Sequence, residues 1–255
     1  MDQRPHSAPP SCYALDVAGR LPDIAGQWSW VRGCDRGDHQ IPVPPLHAAV
    51  CSRNLLAVRR TLLHASSTTR LNETDIKGQT ALNVAAAAGF HAAVEALLAA
   101  GADGEVATRG KGITPLFSAS LFGHAPCARL LLHSGVDVHA LTTDEYRATA
   151  LWAAARGGHA AVVEALVDYG ADPDMGSETE LGDGSSKNPE LGTTPLWVAV
   201  AGGHINAIDT LLTAGADPNR AGLNNGTTPL FLAAKRGDAE TCRKLLAAGA
   251  DPNWG

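Results

Sequence analysis

The sequence contains few aromatic residues and no strong excess of charge of either sign. Aromatic side chains make up 5% of the 255 residues and charged side chains 18%, and the formal net charge is −6. This weak acidic balance gives no general electrostatic reason to bind nucleic acid or an anionic membrane. Few aromatics beside many alanines, leucines and glycines favour closely packed helices over a β-sandwich. The 45% hydrophobic content indicates a folded chain.

Cysteine is also scarce, and no pair of cysteines has the CxxC spacing. The five cysteines are Cys12, Cys34, Cys51, Cys127 and Cys242. An odd number without metal-ligand spacing is typical of reduced thiols, so we expect an intracellular protein, cytoplasmic or nuclear. The first residues lack a basic region followed by an apolar one, and the most apolar stretch, 81–102, is interrupted by polar residues and glycines. We therefore expect neither a signal peptide nor a membrane span.

The chain lacks the short motifs that mark common catalytic and nucleotide-binding sites. It contains no HExxH, no GxSxG, no Walker A loop and no Rossmann glycine pattern. We predict no catalytic residue, no metal ligand set and no cofactor.

One short pattern is present five times. The copies are TALNVAAAAGF from Thr80, TPLFSASLFGH from Thr114, TALWAAARGGH from Thr149, TPLWVAVAGGH from Thr194 and TPLFLAAKRGD from Thr228. In every copy, glycine follows the leucine of the motif at seven and at nineteen residues, whereas the steps between copies are 34, 35, 45 and 34 residues. Units of fixed length with variable joints are typical of stacked repeat modules.

Each unit has the pattern of two short antiparallel helices. Thr194 is a good N-cap, and Pro195 suits the first helical position. Gly203 and Gly215 end the two helices, because glycine accepts a positive φ at little cost. Helices of about three turns are unstable alone in water, so stacking between units must stabilise them.

A further, degenerate unit precedes these five. It begins at Pro45, but Arg53 occupies the position of the first glycine. Allowing one extra residue places Asn54 at the turn, since Asn tolerates positive φ, and then predicts that Val58, Leu62 and Leu63 face inward.

The TPLxxA, GH and GADPN strings at a period of about 33 residues resemble the ankyrin repeat. The resemblance implies an all-α solenoid of six helix-turn-helix repeats with projecting β-turn fingers and a concave face that usually binds proteins. We expect an ankyrin-repeat domain over 42–255, with repeats that begin near 44, 80, 114, 149, 194 and 228. The charged sixth repeat is expected to be a C-terminal cap.

Two repeated residue types depart from the family pattern or suggest a ligand site. The family's first histidine is replaced by an aromatic residue in four repeats: Phe117, Trp152, Trp197 and Phe231. These rings could form a ladder that recognises a partner, but packing between repeats is favoured. His124, His159 and His204 lie one repeat apart, too far to share a metal ion, and are expected to stabilise turns.

Seven residues are candidate partner contacts, because the resemblance places them on the concave face or in a finger. They are Leu121, Phe122, Tyr146, Arg156, Arg53, Lys235 and Arg236. Aromatic and arginine side chains are typical interface anchors. The alternative for Leu121 and Phe122 is that they only pack the floor of a groove.

Two segments do not fit the repeat. Residues 1–41 are expected to be partly disordered or capping; Trp28 and Trp30 favour a strand that covers the first repeat, with a docking peptide as the alternative. The insertion 176–192 predicts a long finger, which is either a tolerated insertion or a partner contact.

These features together predict a monomeric, non-enzymatic scaffold that binds another protein and neither nucleic acid nor membrane. Two alternatives stay open. The chain is a recognition fragment of a larger adaptor, such as a ubiquitin-ligase substrate receptor, or it is an inhibitory regulatory subunit of an enzyme. Fold does not specify the partner.

Overall fold

The computed structural model describes residues 44–64, 71–144, 146–177, 192–222 and 226–253. Within these ranges it contains twelve α-helices and no strand, which confirms the all-α prediction. The N-terminal extension with Trp28 and Trp30, and nearly all of the insertion 176–192, lie outside the described residues. The helices are α1 Pro45–Cys51, α2 Leu55–His64, α3 Ala81–Ala87, α4 His91–Ala99, α5 Pro115–Leu121, α6 Ala125–His133, α7 Ala150–Arg156, α8 Ala160–Asp168, α9 Pro195–Gly202, α10 Ile205–Thr213, α11 Pro229–Arg236 and α12 Ala239–Ala247.

The threonine of each motif starts the first helix of its repeat. In α9, the Thr194 side chain accepts a hydrogen bond of 3.2 Å from the backbone N–H of Trp197. The same bond forms at Thr80, Thr114, Thr149 and Thr228. A hydroxyl that satisfies an otherwise unbonded N–H stabilises such a short helix.

The six helix pairs stack into two layers. The odd-numbered helices, which come first in each repeat, pack against one another in sequence, and the even-numbered helices form the second layer. Leu151 and Leu196, two of the motif leucines, lie between the layers and are fully buried. Alanines beside them, such as Ala153 and Ala199, are equally buried and let neighbouring helices approach closely.

The first repeat differs from the prediction in its register. Arg53 itself adopts the left-handed conformation, with φ of 51°, so no extra residue is inserted. Asn54 is instead the N-cap of α2, and its Oδ1 accepts a bond of 3.0 Å from the N–H of Ala57. The prediction for Leu63 is therefore wrong: its side chain is 84% exposed, while Val58 is buried as expected.

The sixth repeat leaves apolar surface uncovered among the described residues. Phe231 is 49% exposed, whereas Trp197, at the same place in the fifth repeat, is 5% exposed beneath the sixth. Lys235 and Arg236 are exposed, as expected of a charged final repeat. None of the described helices has the length and apolar character needed to cross a membrane.

Candidate protein-binding surface

Short finger loops precede five of the first helices, and backbone hydrogen bonds close them. The N–H of Thr142 donates to the carbonyl of Ala148 at 3.1 Å, and the N–H of Ser177 donates to the carbonyl of Thr193 at 3.0 Å. The insertion therefore leaves and re-enters the fold at the base of an ordinary finger. We call the exposed surface formed by the fingers and the first-helix layer the inner face.

In four repeats, a side chain from the first turn of the first helix donates a hydrogen bond to the next finger. His47 Nε2 donates to the carbonyl of Gln79 at 2.7 Å, and Trp197 Nε1 donates to the carbonyl of Thr227 at 2.9 Å. Trp152 Nε1 similarly donates to Thr193 Oγ1 at 3.1 Å. The indole N–H thus donates a hydrogen bond to the next finger, as His47 does in the first repeat. Both tryptophans are nearly buried and pack between repeats, as favoured from the sequence.

The second series of histidines stabilises the ends of the first helices. Each ring donates a hydrogen bond of 3.1 Å from its Nε2–H to a backbone carbonyl of the preceding repeat. His124 bonds to Ala87, His159 to Leu121 and His204 to Arg156. Each ring satisfies a carbonyl that the helix leaves without a partner. No group of three or more potential metal ligands occurs among the described residues.

Burial lowers the pKa of His124 and of His159 below the usual histidine value. For His124, the hydrogen bond to the Ala87 carbonyl raises the pKa, and the charges of His159 and Arg53 lower it further. For His159, the hydrogen bond to the Leu121 carbonyl raises the pKa, and the charge of His204 lowers it further. Burial also raises the pKa of the Cys127 thiol to about 11, so this cysteine is not a reactive thiolate at neutral pH.

A shallow groove lies on the inner face between the third and fourth repeats. Three of the predicted contact residues, Leu121, Tyr146 and Arg156, line it together. The remaining lining residues are Phe117, Asp144, Ala148 and Trp152. Two helices and the finger between them therefore bring apolar, aromatic and charged groups to one place.

The charged and aromatic side chains of the groove are held in fixed positions. The Arg156 guanidinium lies 5.8 Å from the centroid of the Trp152 ring, and Arg156 is only 8% exposed. The Tyr146 and Trp152 rings are 5.8 Å apart and inclined at 41°. Because Trp152 is itself bonded to Thr193, the wall of the groove is anchored to the base of the long finger.

The other four predicted residues lie outside the groove. The Phe122 ring is half-buried, 6.4 Å from the ring of His124. Arg53 Nη1 donates to the carbonyl of Ala88 at 3.0 Å, and its guanidinium lies 5.5 Å above the Phe90 ring.

Arg236 replaces the histidine that the sixth repeat lacks. Its Nη1 donates to the carbonyl of Ala201, and more weakly to that of Val200 at 3.4 Å. Lys235 is exposed beside it. Arg53 and Arg236 therefore both bind helix-end carbonyls at opposite ends of the stack, in addition to the charge they bring to the surface.

The sequence did not indicate every residue of the groove. Phe117 and Trp152 were expected only to pack between repeats, yet an edge of each also lines the groove while the side chain is nearly buried. The predicted position of Tyr146 in a finger could have indicated Trp152 as well, because that finger must pass close to the first turn of α7.

Comparison with known proteins agrees with this architecture. A family model described as ankyrin repeats, in three copies, matches four overlapping ranges: 46–142, 104–177, 139–221 and 176–254. The ankyrin repeat domain of Bcl-3, a member of the IkappaB protein family, is 29% identical; the match covers 86% of this chain and 90% of that one, with a TM-score of 0.68.

Two further solved structures are similar to the same extent. The ankyrin repeat domain of human ASB11 is 28% identical over 82% of this chain and 85% of that one, with a TM-score of 0.67. An ankyrin repeat domain from Acinetobacter baumannii is 32% identical over 81% of this chain and 98% of that one, with a TM-score of 0.68. Proteins built from these repeats are generally non-enzymatic modules for protein–protein interaction. With six stacked helix pairs and a family match over most of its length, the chain belongs to the ankyrin-repeat family.

Proposed function

We propose that this chain is a non-catalytic, monomeric, intracellular scaffold that binds another protein through its inner face. The groove between the third and fourth repeats is the observation that carries the proposal. It combines three aromatic side chains, a leucine and an arginine, and Trp, Tyr and Arg are the residue types enriched in interface hot spots.

The rigidity of the groove supports binding without a large entropic penalty. Arg156 lies against Trp152, Trp152 is bonded to Thr193, and the finger is closed by the bond between Thr142 and Ala148. Side chains already held in one conformation lose little freedom when a partner binds. Leu121, Tyr146 and Arg156 are the proposed central contacts; Phe122, Arg53, Lys235 and Arg236 are proposed as flanking contacts.

We also propose a division of the chain into a binding domain and an N-terminal extension. Residues 42–255 supply the binding domain, and residues 1–41 are an extension outside the repeats. The two ends of the insertion within 176–192 meet at the bond between Ser177 and Thr193, and we propose the insertion as a further partner contact.

A crosslinking pull-down from a lysate of the source organism tests the proposal with two matched variants. Leu121→Glu/Phe122→Glu places two glutamates on the inner face, and Leu63→Glu places one glutamate at an exposed leucine of α2. Circular dichroism must first show that both variants are folded. We expect a protein that wild type and Leu63→Glu capture and that the double variant loses.

Two other results would oppose the proposal. Capture by all three proteins would contradict the position on the inner face and move the site elsewhere. Capture by none of them would contradict the binding function.

A further inference from the structure

The two helix layers differ in the sign of their charge. The six first helices contain no Asp or Glu, and their charged residues are Arg156, Lys235 and Arg236. The second helices carry all the helical carboxylates: Glu95, Glu164, Asp168, Asp209 and Glu240. A chain with a net charge of −6 therefore places only cations on the helical part of its inner face.

Two carboxylates of the second layer, Glu164 and Asp209, have cationic partners within that layer. Arg129 lies 3.5 Å from Glu164, and Lys244 Nζ lies 2.7 Å from Asp209 Oδ1; each pair joins the second helices of adjacent repeats. Ion pairs on the second helices thus connect neighbouring repeats. No first helix carries a carboxylate that could pair with Lys235 in the same way.

Two acidic residues of the fingers, Asp75 and Asp144, accept hydrogen bonds within their own finger turns. Asp75 Oδ1 accepts the N–H groups of Lys77 and Gln79, both at 2.9 Å. Asp144 Oδ1, in the groove, accepts Thr142 Oγ1 at 2.7 Å and the N–H of Tyr146 at 3.2 Å. Glu145 and the acidic residues within 178–191 lie outside the described residues and are not counted in this balance.

We propose that the inner face binds an acidic, extended protein segment, which inserts an aromatic or aliphatic side chain into the groove and places carboxylates beside Arg156 and Lys235. The proposal rests on the proposed function and specifies the chemistry of the partner. Electrostatic complementarity of this kind selects partners and accelerates association.

The positions of the two cations set the spacing in the partner. Arg156 and Lys235 occupy the same position in the fourth and sixth repeats, five residues after the motif leucine. Helices in contact lie about 10 Å apart, so two repeats span roughly 20 Å. An extended chain rises about 3.3 Å per residue, so acidic residues about six positions apart can reach both cations.

A nucleic acid is the other polyanion that a basic face could bind. Proteins that bind single strands offer exposed aromatic rings for stacking. Here Trp152 is nearly buried, its N–H is bonded to Thr193 and Arg156 lies against its ring. The groove is therefore suited to a side chain rather than a base.

The test is selection of binding peptides from a displayed library of random 16-residue sequences, with wild-type protein as the target. We expect enriched peptides to be acidic and to contain an aromatic or large aliphatic residue. One such peptide, labelled with fluorescein, is then titrated by fluorescence anisotropy at two salt concentrations.

Two charge deletions in the sixth repeat give a matched comparison, because both side chains are exposed. Lys235→Gln removes a cation of the inner face, and Arg243→Gln removes one from the second helix. For an exposed ion pair we expect about three-fold weaker binding with Lys235→Gln. We expect no change with Arg243→Gln, and weaker binding by wild type at higher salt.

The possible results separate this inference from the proposed function. Neutral or basic peptides whose binding is lost in Leu121→Glu would overturn the acidic partner and leave inner-face binding intact. Equal effects of the two deletions would also overturn the acidic partner. Acidic peptides that bind Leu121→Glu normally would contradict both proposals. If no peptide is enriched, the acidic extended segment is overturned, and the pull-down still decides the proposed function. A fluorescein-labelled oligothymidylate that binds wild type and is lost with Lys235→Gln would replace the peptide by a nucleic acid.

Discussion

At the scale of single residues, the repeats provide their own controls, because one structural position is occupied by several residue types. Ser120 lies on α5 where the second and fourth repeats have Ala86 and Ala155. Its hydroxyl is buried and has no hydrogen-bond partner among the described residues. A buried polar group without a partner destabilises the folded state.

We expect Ser120→Ala to raise the free energy of unfolding by about 1 kcal/mol, because it removes an unsatisfied hydroxyl and improves helix propensity. Urea denaturation followed by circular dichroism measures the change. Ser118→Ala on the same helix is the comparison, since Ser118 is buried but is not among the unsatisfied groups. Loss of stability in Ser120→Ala would show that the hydroxyl has a partner in solution.

The lowered pKa values of His124 and His159 predict a dependence of stability on pH. Their folded-state pKa lies below the unfolded value of 6.5, so the unfolded chain takes up protons first as the pH falls. The stabilisation they give is complete above about pH 6.5 and is lost as the pH falls below it toward the folded-state values.

Denaturation at pH 7.5 and pH 5.5 tests this sign. We expect wild type to be less stable at the lower pH, and the double variant His124→Asn/His159→Asn to lose part of that difference. Equal pH dependence in wild type and variant would assign the effect to other groups.

At the scale of helices and turns, a glycine after a first helix adopts a positive φ, and at Gly158 it also leaves room for the histidine ring of the next repeat. Gly158 has φ of 71°, and a Cβ there would lie 2.5 Å from Nδ1 of His204. The His204 ring is bonded to the carbonyl of Arg156 and cannot move away without breaking that bond. Gly237 has φ of 72° and open space around it.

We therefore expect Gly158→Ala to destabilise the protein more than Gly237→Ala. Both substitutions force alanine into the left-handed region, which costs about 1–2 kcal/mol. Gly158→Ala also displaces His204 and its hydrogen bond, which adds about 1 kcal/mol. Thermal denaturation of the two variants measures the difference, and equal losses would contradict the packing role of the histidine.

Much of the fold could be predicted because its signals are local and repeated. A threonine, a leucine and two glycines at fixed intervals specify where the helices begin and end, as Thr194, Gly203 and Gly215 show. The turn of the first repeat was predicted at Asn54 rather than at Arg53, because positive φ is expected of glycine and asparagine and not of arginine. The surrounding packing imposes the conformation on it, and a sequence does not display that packing.

The candidate groove was only partly predictable for a similar reason. Leu121 and Arg156 occupy family contact positions and could be selected, but the burial of Arg156 against Trp152 depends on contacts between repeats. Phe122 occupies a family contact position as well, but as the C-cap of α5 it lies beside His124, outside the groove.

At the scale of the whole molecule, stability should decrease from the middle of the stack toward its last repeat. All seven residues of α7 are buried, whereas only Pro229 and Ala233 are buried in α11. Each repeat is stabilised mainly by its neighbours, so a repeat with one described neighbour opens more readily. We expect the amides of α11 and α12 to exchange with deuterium faster than those of α7 and α8.

Hydrogen exchange of the isolated protein, analysed by mass spectrometry, checks this order. Peptides from α9 and α10 serve as an intermediate reference, because the sixth repeat covers them. Uniform protection from α7 to α12 would contradict a gradient and indicate that the stack opens as one unit.

The most direct test of the account is the same exchange measurement on the wild-type protein with its captured partner bound. We predict that new protection is confined to the inner face: the finger 142–148, the last turns of α5 and α7, and the last turn of α11. Protection confined to the second helices, such as α2 and α8, would contradict binding through the inner face.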